Sequence, residues 1–179
     1  SVPPSPRVLG QLALGESDQR YGWVGPSNLA VSGGYVYLAG NVTYTVGRLT
    51  IVDARVPSAL RIVSRFEEYT ATGVDVVEDI AYLTLRACFS GSSCTPDHVA
   101  MLVLDVGDPA APTGLGDYSA EQGALRVDAR PDGLALLTQS RCRLTIVDVS
   151  DPGGPAEVAC VPLPNSAAKP RPKRRSLLT

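Results

Sequence analysis

Three polar residues, Asn28, Asp75 and Asp128, are the residues of this chain that are best placed to bind a ligand. Asp75 and Asp128 occupy the same place in two copies of a repeated apolar pattern, and Asn28 stands near the equivalent place in a third copy. Oxygen atoms that converge on one cavity can bind a cation or a polar ligand. A solvated channel lined by the same residues is the simpler alternative, and we favour it.

Four cysteines form two local pairs, Cys88 with Cys94 and Cys142 with Cys160. A small polar loop separates the first pair, and antiparallel strands around a Pro-Gly turn would bring the second pair together. We therefore predict two disulfides and an oxidising compartment. A zinc site at Cys88, Cys94 and His98 is the alternative, but the spacing is loose and a structural site needs four ligands.

Catalysis by a Ser-His-Asp triad would have to use His98, because it is the only histidine. The chain contains no Gly-x-Ser-x-Gly motif. We expect His98 to be an exposed loop residue, and we assign no catalytic residue. Whether the protein is an enzyme stays open, with a non-enzymatic role favoured.

Aspartates end three short apolar strands, at Asp53, Asp105 and Asp148. The sequence Leu-Thr-Ile-Val-Asp occurs at 49–53 and again at 144–148. An aspartate before a turn commonly accepts hydrogen bonds from the N–H groups of that turn. We therefore predict a structural role for these residues and no cofactor, with Ca²⁺ binding as the alternative because the turns are rich in oxygen ligands.

The elements that position these residues are short strands in a repeated order. Each repeat reads as four strands, and the aspartates of the second and third copies stand 43 residues apart. That period, with four strands per unit, is typical of a β-propeller blade. We predict an all-β, β-propeller-like domain over residues 1–164, with blades at about 27–68, 73–119 and 124–163 and one extra strand at Val8–Leu14.

The repeats resemble the LVIVD repeat family of bacterial and archaeal proteins over roughly residues 6–163. The resemblance rests on the two Leu-Thr-Ile-Val-Asp copies, on the prolines of two Asp-Pro turns, and on the second strands of the first two units. These residues are Asp108-Pro109 with Pro112, Asp151-Pro152 with Pro155, 35–39 and 80–83. The first turn, Ala54-Arg55-Val56-Pro57, departs from the pattern because it lacks the Asp before Pro. The resemblance implies a propeller-like surface or secreted protein and carries over no catalytic residues.

Three blades and a single strand are too few to close a propeller, which needs at least four blades. Either further blades precede this sequence, or two copies pair as a homodimer and complete a ring.

Charge and hydropathy limit the partners. Five of the 16 basic residues lie in the Pro-rich segment 165–179, which we predict to be disordered, so the rest of the chain is acidic and unsuited to nucleic acid. No apolar run is long enough for a membrane span. We expect a secreted, cell-surface or periplasmic module that binds protein or polysaccharide. A metal-dependent hydrolase or lactonase and a structural spacer are the alternatives.

Overall fold

The structure is a computed structural model that describes residues 5–14, 25–42, 46–68, 70–86, 98–120, 123–139 and 144–161. Twelve strands lie in these ranges: β1 Gly25–Ser32, β2 Tyr35–Asn41, β3 Gly47–Asp53, β4 Arg61–Glu68, β5 Ala71–Val77, β6 Ile80–Leu85, β7 Val99–Asp105, β8 Thr113–Ser119, β9 Ala124–Ala129, β10 Leu134–Gln139, β11 Leu144–Asp148 and β12 Ala156–Val161.

The strands form three four-stranded antiparallel sheets, in which each strand pairs with its neighbours in the sequence. We call them blade 1 (β1–β4), blade 2 (β5–β8) and blade 3 (β9–β12). This arrangement confirms the predicted all-β architecture of about three four-stranded antiparallel units. The first strands of the blades, β1, β5 and β9, are called the inner strands below.

Short turns make these meanders. Gly33 and Gly34 join β1 to β2 with φ values of 57° and 82°, a left-handed conformation that costs glycine little. Register then follows from the alternation of side chains. In β2, Tyr37 and Ala39 are buried on one face, and they pair with Ile51 and Leu49 of β3.

The apolar core lies between blades rather than within a single sheet. One cluster joins blade 1 to blade 2 and the other joins blade 2 to blade 3. The largest fully buried side chains of the first are Leu49, Ile51, Leu83, Leu85 and Leu104, and those of the second include Met101, Val103, Leu137 and Val147. A single blade therefore cannot bury its own apolar faces, and stacking against a neighbour supplies much of the stabilisation.

The predicted strand at Val8–Leu14 is wrong, because residues 5–14 contain no strand. Val8 and Leu9 are 72% and 57% exposed, so their apolar side chains gain no buried face that would fix a strand register. The segment instead lies against blade 1. Leu14 accepts a hydrogen bond from Arg65 at 3.1 Å, and a Cβ on Gly10 would overlap the carbonyl oxygen of Pro57.

In the described part of the chain, no helix is long and apolar enough to cross a membrane. The basic segment 165–179 that the sequence predicts to be disordered lies outside the described residues.

Candidate functional site

The inner strands lie side by side in chain order, with β1 against β5 and β5 against β9. Strand pairing gives the equivalent positions. Ala30, Asp75 and Asp128 each pair with the third residue of the next strand in their blade. Asp75 and Asp128 are therefore equivalent, as the sequence suggests. Asn28 lies two residues before the matching position in β1, on the same side of the strand.

Asn28 and Asp75 both bond to the backbone of the following blade. Asn28 Oδ1 accepts a hydrogen bond from the Val74 N–H at 2.7 Å, and Asp75 Oδ2 accepts one from the Ala129 N–H at 2.8 Å. The other carboxylate oxygen of Asp75 accepts the Val76 N–H at 2.9 Å. Each acceptor residue has an equivalent position in the following blade. In both bonds the donor N–H belongs to the residue directly after that equivalent position. These two side chains thus fix the register between neighbouring inner strands.

Asp128 has the same place in β9, but it is exposed and has no hydrogen-bond partner among the described residues. Blade 3 has no following blade in this part of the chain, so no neighbouring backbone reaches the carboxylate. The structure therefore separates the three candidate residues into two structural acceptors and one free carboxylate. Ligand binding by any of them stays a prediction.

A second series of inter-blade bonds was not predicted. Ser27 Oγ donates to the Thr72 carbonyl at 3.2 Å, and Thr72 Oγ1 donates to the Ala124 carbonyl at 2.8 Å. Both hydroxyls lie at register shifts, where β1 and β5 bulge. Because a bulge is recognised only from strand pairing, the sequence carries no clear signal for these contacts.

Arg126 is the one cation of the described inner strands, and it reaches across all three blades. Its Nη1 donates to the Ser27 carbonyl at 3.2 Å and to the Thr72 carbonyl at 3.5 Å. The residue is exposed, and its remaining guanidinium donors have no partner within the ranges that the structure describes. A guanidinium held in this way can accept a carboxylate with two parallel hydrogen bonds.

The aspartates that end the third strands anchor the turns that follow. Asp53, Asp105 and Asp148 accept the backbone N–H two residues later, at 3.1, 2.8 and 2.9 Å. Asp53 also bonds to the side chains of Arg55 and Arg61. The hydrogen bond from Arg55 holds the pKa of Asp53 well below its usual range, and the Ser150 hydroxyl lowers the pKa of Asp148. These contacts give the repeated aspartates the structural role that we expected.

The cysteine pairings stay predictions. Cys88, Cys94 and Cys142 lie outside the described residues, and Cys160 lies on β12. The register of β11 with β12 places Thr145 opposite Cys160.

His98 is exposed, with φ at 56°, and its carbonyl accepts the Ala120 N–H at 2.9 Å. Across the described ranges, no group of three or more His, Cys, Asp and Glu residues is arranged to hold a metal ion.

Removal of the Asp75 carboxylate should weaken the contact between blades 2 and 3. We expect Asp75→Ala to lower the free energy of unfolding by about 1–3 kcal/mol, because the N–H of the buried Ala129 loses its acceptor. Asp75→Asn should cost less, since the Asn28 amide accepts the same kind of bond. Urea unfolding measures both variants. Asp117→Ala, at an exposed site, is the control. Equal losses for Asp75→Ala and Asp75→Asn would contradict this role for Asp75.

Comparison with known protein families also indicates a repeat architecture. No curated protein matches the chain significantly. The model of the LVIVD repeat matches residues 26–68, which cover nearly all of blade 1, and residues 140–161, which end with β11 and β12 of blade 3. The resemblance predicted from the sequence is thereby confirmed over these two segments, and the chain carries matches to the LVIVD repeat in blades 1 and 3.

Proposed function

We propose that this protein is a β-propeller-like binding module that acts outside the cytoplasm, as a secreted, cell-surface or periplasmic protein. Its partners would be proteins or polysaccharides that present carboxylate groups. The extracellular location is supported by the local cysteine pairs of the sequence and by what the LVIVD resemblance implies.

The proposal rests on the way in which the structure holds Arg126. Its guanidinium is held by carbonyls of the other two inner strands, so little side-chain entropy is lost when it binds a partner. Its free donors face solvent beside three inner strands whose backbones are fixed by the Asn28 and Asp75 bonds. A rigid scaffold with one oriented cation suits recognition of an anionic group.

The hydrolase alternative needs several acidic or histidine side chains that converge on one ion. In this structure, both oxygens of Asp75 accept backbone N–H groups and the Asn28 oxygen accepts another. These contacts support a structural use of the inner-strand oxygens and favour the binding module. A structural spacer would leave Arg126 without a ligand.

Binding of two carboxylate-rich probes tests the proposal, namely poly-L-glutamate and polygalacturonate. The full chain is immobilised, and affinity is measured at physiological salt so that the acidic body is screened. We expect binding of at least one probe, and a loss of about tenfold or more for Arg126→Ala. Arg48→Ala is the matched control, because Arg48 is already paired with Glu67.

Equal binding by the wild type and Arg126→Ala, or binding of neither probe, would contradict the proposal. If the chain hydrolyses a lactone and a chelator abolishes that activity, the hydrolase is favoured instead.

A further inference from the structure

The two ends of the blade array expose the two halves of an interface that the chain already uses twice. Where a blade packs on the next one, it contributes equivalent apolar residues of its second and third strands. These are Tyr37, Leu49 and Ile51 in blade 1 and Tyr82, Met101 and Val103 in blade 2, all at most 5% exposed. Strand pairing aligns them with Leu136, Leu144 and Ile146 of blade 3, which are only partly buried.

Blade 1 exposes the complementary half. Leu29 and Val31 of its inner strand are 59% and 64% exposed. Their equivalents are less exposed wherever a preceding blade exists. Val74 in blade 2 and Ala129 in blade 3 are 3% and 8% exposed, and Val76 and Val127 are partly buried. The open part of this face is its inner-strand side, where Leu29 and Val31 lie, because Thr50 and Val52 of β3 on the same side are buried. The inner-strand side is the part that blades 2 and 3 cover with their preceding neighbours.

The hydrogen-bonding groups at the two ends also match. Asp128 of blade 3 is equivalent to Asp75 of blade 2, which accepts the Ala129 N–H. The Asp128 carboxylate has no partner in the described part of the chain. Val31 has the position of Ala129, because each pairs with the second residue of the next strand. If Asp128 bonds to a following blade as Asp75 does, its donor is therefore the N–H at the Val31 position.

We propose that a second copy of this chain docks the open face of its blade 1 on the open face of blade 3, with Asp128 accepting a hydrogen bond from the Val31 N–H of the second copy. The same contact repeated in the opposite direction closes a ring of six blades. With the three described blades in each copy, two copies give six blades, within the four to eight that propellers typically have, whereas three copies would give nine. The inference goes beyond the binding function and does not depend on it.

The N-terminal segment lies where the docking blade would place its outer strand. Within the chain, the outer strand of one blade touches the proline turn of the next blade. Ser64 Oγ donates to the Pro109 carbonyl at 2.7 Å, and a Cβ on Gly116 would lie 2.6 Å from the Pro152 carbonyl oxygen. At blade 1 the equivalent turn residue is Pro57, and Gly10 lies against its carbonyl. Residues 5–14 must therefore move aside when the second copy docks, so they limit self-association.

Sedimentation velocity over a range of protein concentrations tests the proposal. We expect the full chain to reach the mass of two copies and no higher. Asp128→Ala should weaken the association about tenfold or more, whereas Asp128→Asn should retain it, because Asn28 shows that an amide oxygen serves as this acceptor. Gly10→Val should strengthen the association several-fold, since a side chain there cannot remain beside Pro57.

Leu29→Glu tests the opposite half of the interface independently, and it should abolish the two-copy species because it places a charge on the docking face. Circular dichroism confirms that each variant is folded. A chain that remains monomeric both as wild type and as Gly10→Val would overturn the proposal. So would an assembly larger than two copies, or one that is unaffected by both Asp128→Ala and Leu29→Glu.

Discussion

Leu83→Ala should lower the free energy of unfolding by about 2–5 kcal/mol, the largest loss that we expect from a single truncation. Leu83 is fully buried in the cluster between blades 1 and 2, where it packs beside Leu49, Ile51 and Leu104. Its removal leaves a cavity between two sheets whose backbones are held in place by the inter-blade hydrogen bonds, so the site cannot collapse freely. Urea or thermal unfolding measures the loss.

Leu115→Ala is the matched control, because Leu115 lies on the outer strand β8 and is 39% exposed. We expect its effect to stay within about 0.5 kcal/mol. Similar losses for the two variants would show that the space between the blades is not the main core.

Gly73→Val should cost about 1–3 kcal/mol by overpacking the contact between the inner strands of blades 2 and 3. A Cβ at this position would lie 2.7 Å from Thr84 Oγ1, 3.1 Å from the Leu125 carbonyl oxygen and 3.2 Å from Arg126 Cα. The last two atoms belong to the backbone of β9, which must shift as a whole. The shift would also disturb the bond from Thr84 Oγ1 to the Gly73 carbonyl.

Gly114→Val provides the control for the same change in a strand. No atom lies within 4 Å of a Cβ at Gly114, so we expect little loss of stability or a small gain. Urea unfolding curves would be compared for the two variants. If Gly73→Val unfolds like the wild type, the blades are not in close contact at this point.

Most of the fold follows from local patterns that the sequence shows directly. Apolar alternation marks the strands of each unit, and the repeated aspartates mark the turns after the third strands, because both effects operate within a few residues. The N-terminal segment shows the limit of that reasoning. Its alternation resembles that of a strand, but a strand needs a partner and a buried face, and Val8 and Leu9 have neither.

The candidate site was predictable only in part. The equivalence of Asp75 and Asp128 follows from the repeat, but their different environments depend on whether another blade follows. The roles of Ser27 and Thr72 depend on bulges, and that of Arg126 depends on a reach across two neighbouring blades. None of these relations is encoded in the spacing of residues along one strand.

The bonds between inner strands have a consequence for how such a protein changes over evolutionary time. Each one runs from a side chain of one blade to the backbone of the next, as Asn28 does with Val74 and Asp75 with Ala129. The acceptor therefore recognises a neighbour by its strand geometry and not by its amino acids. A unit can diverge in sequence, or be duplicated and inserted, without losing the contact. Blade 2 lies entirely outside the segments that match the LVIVD repeat, and it retains both connections.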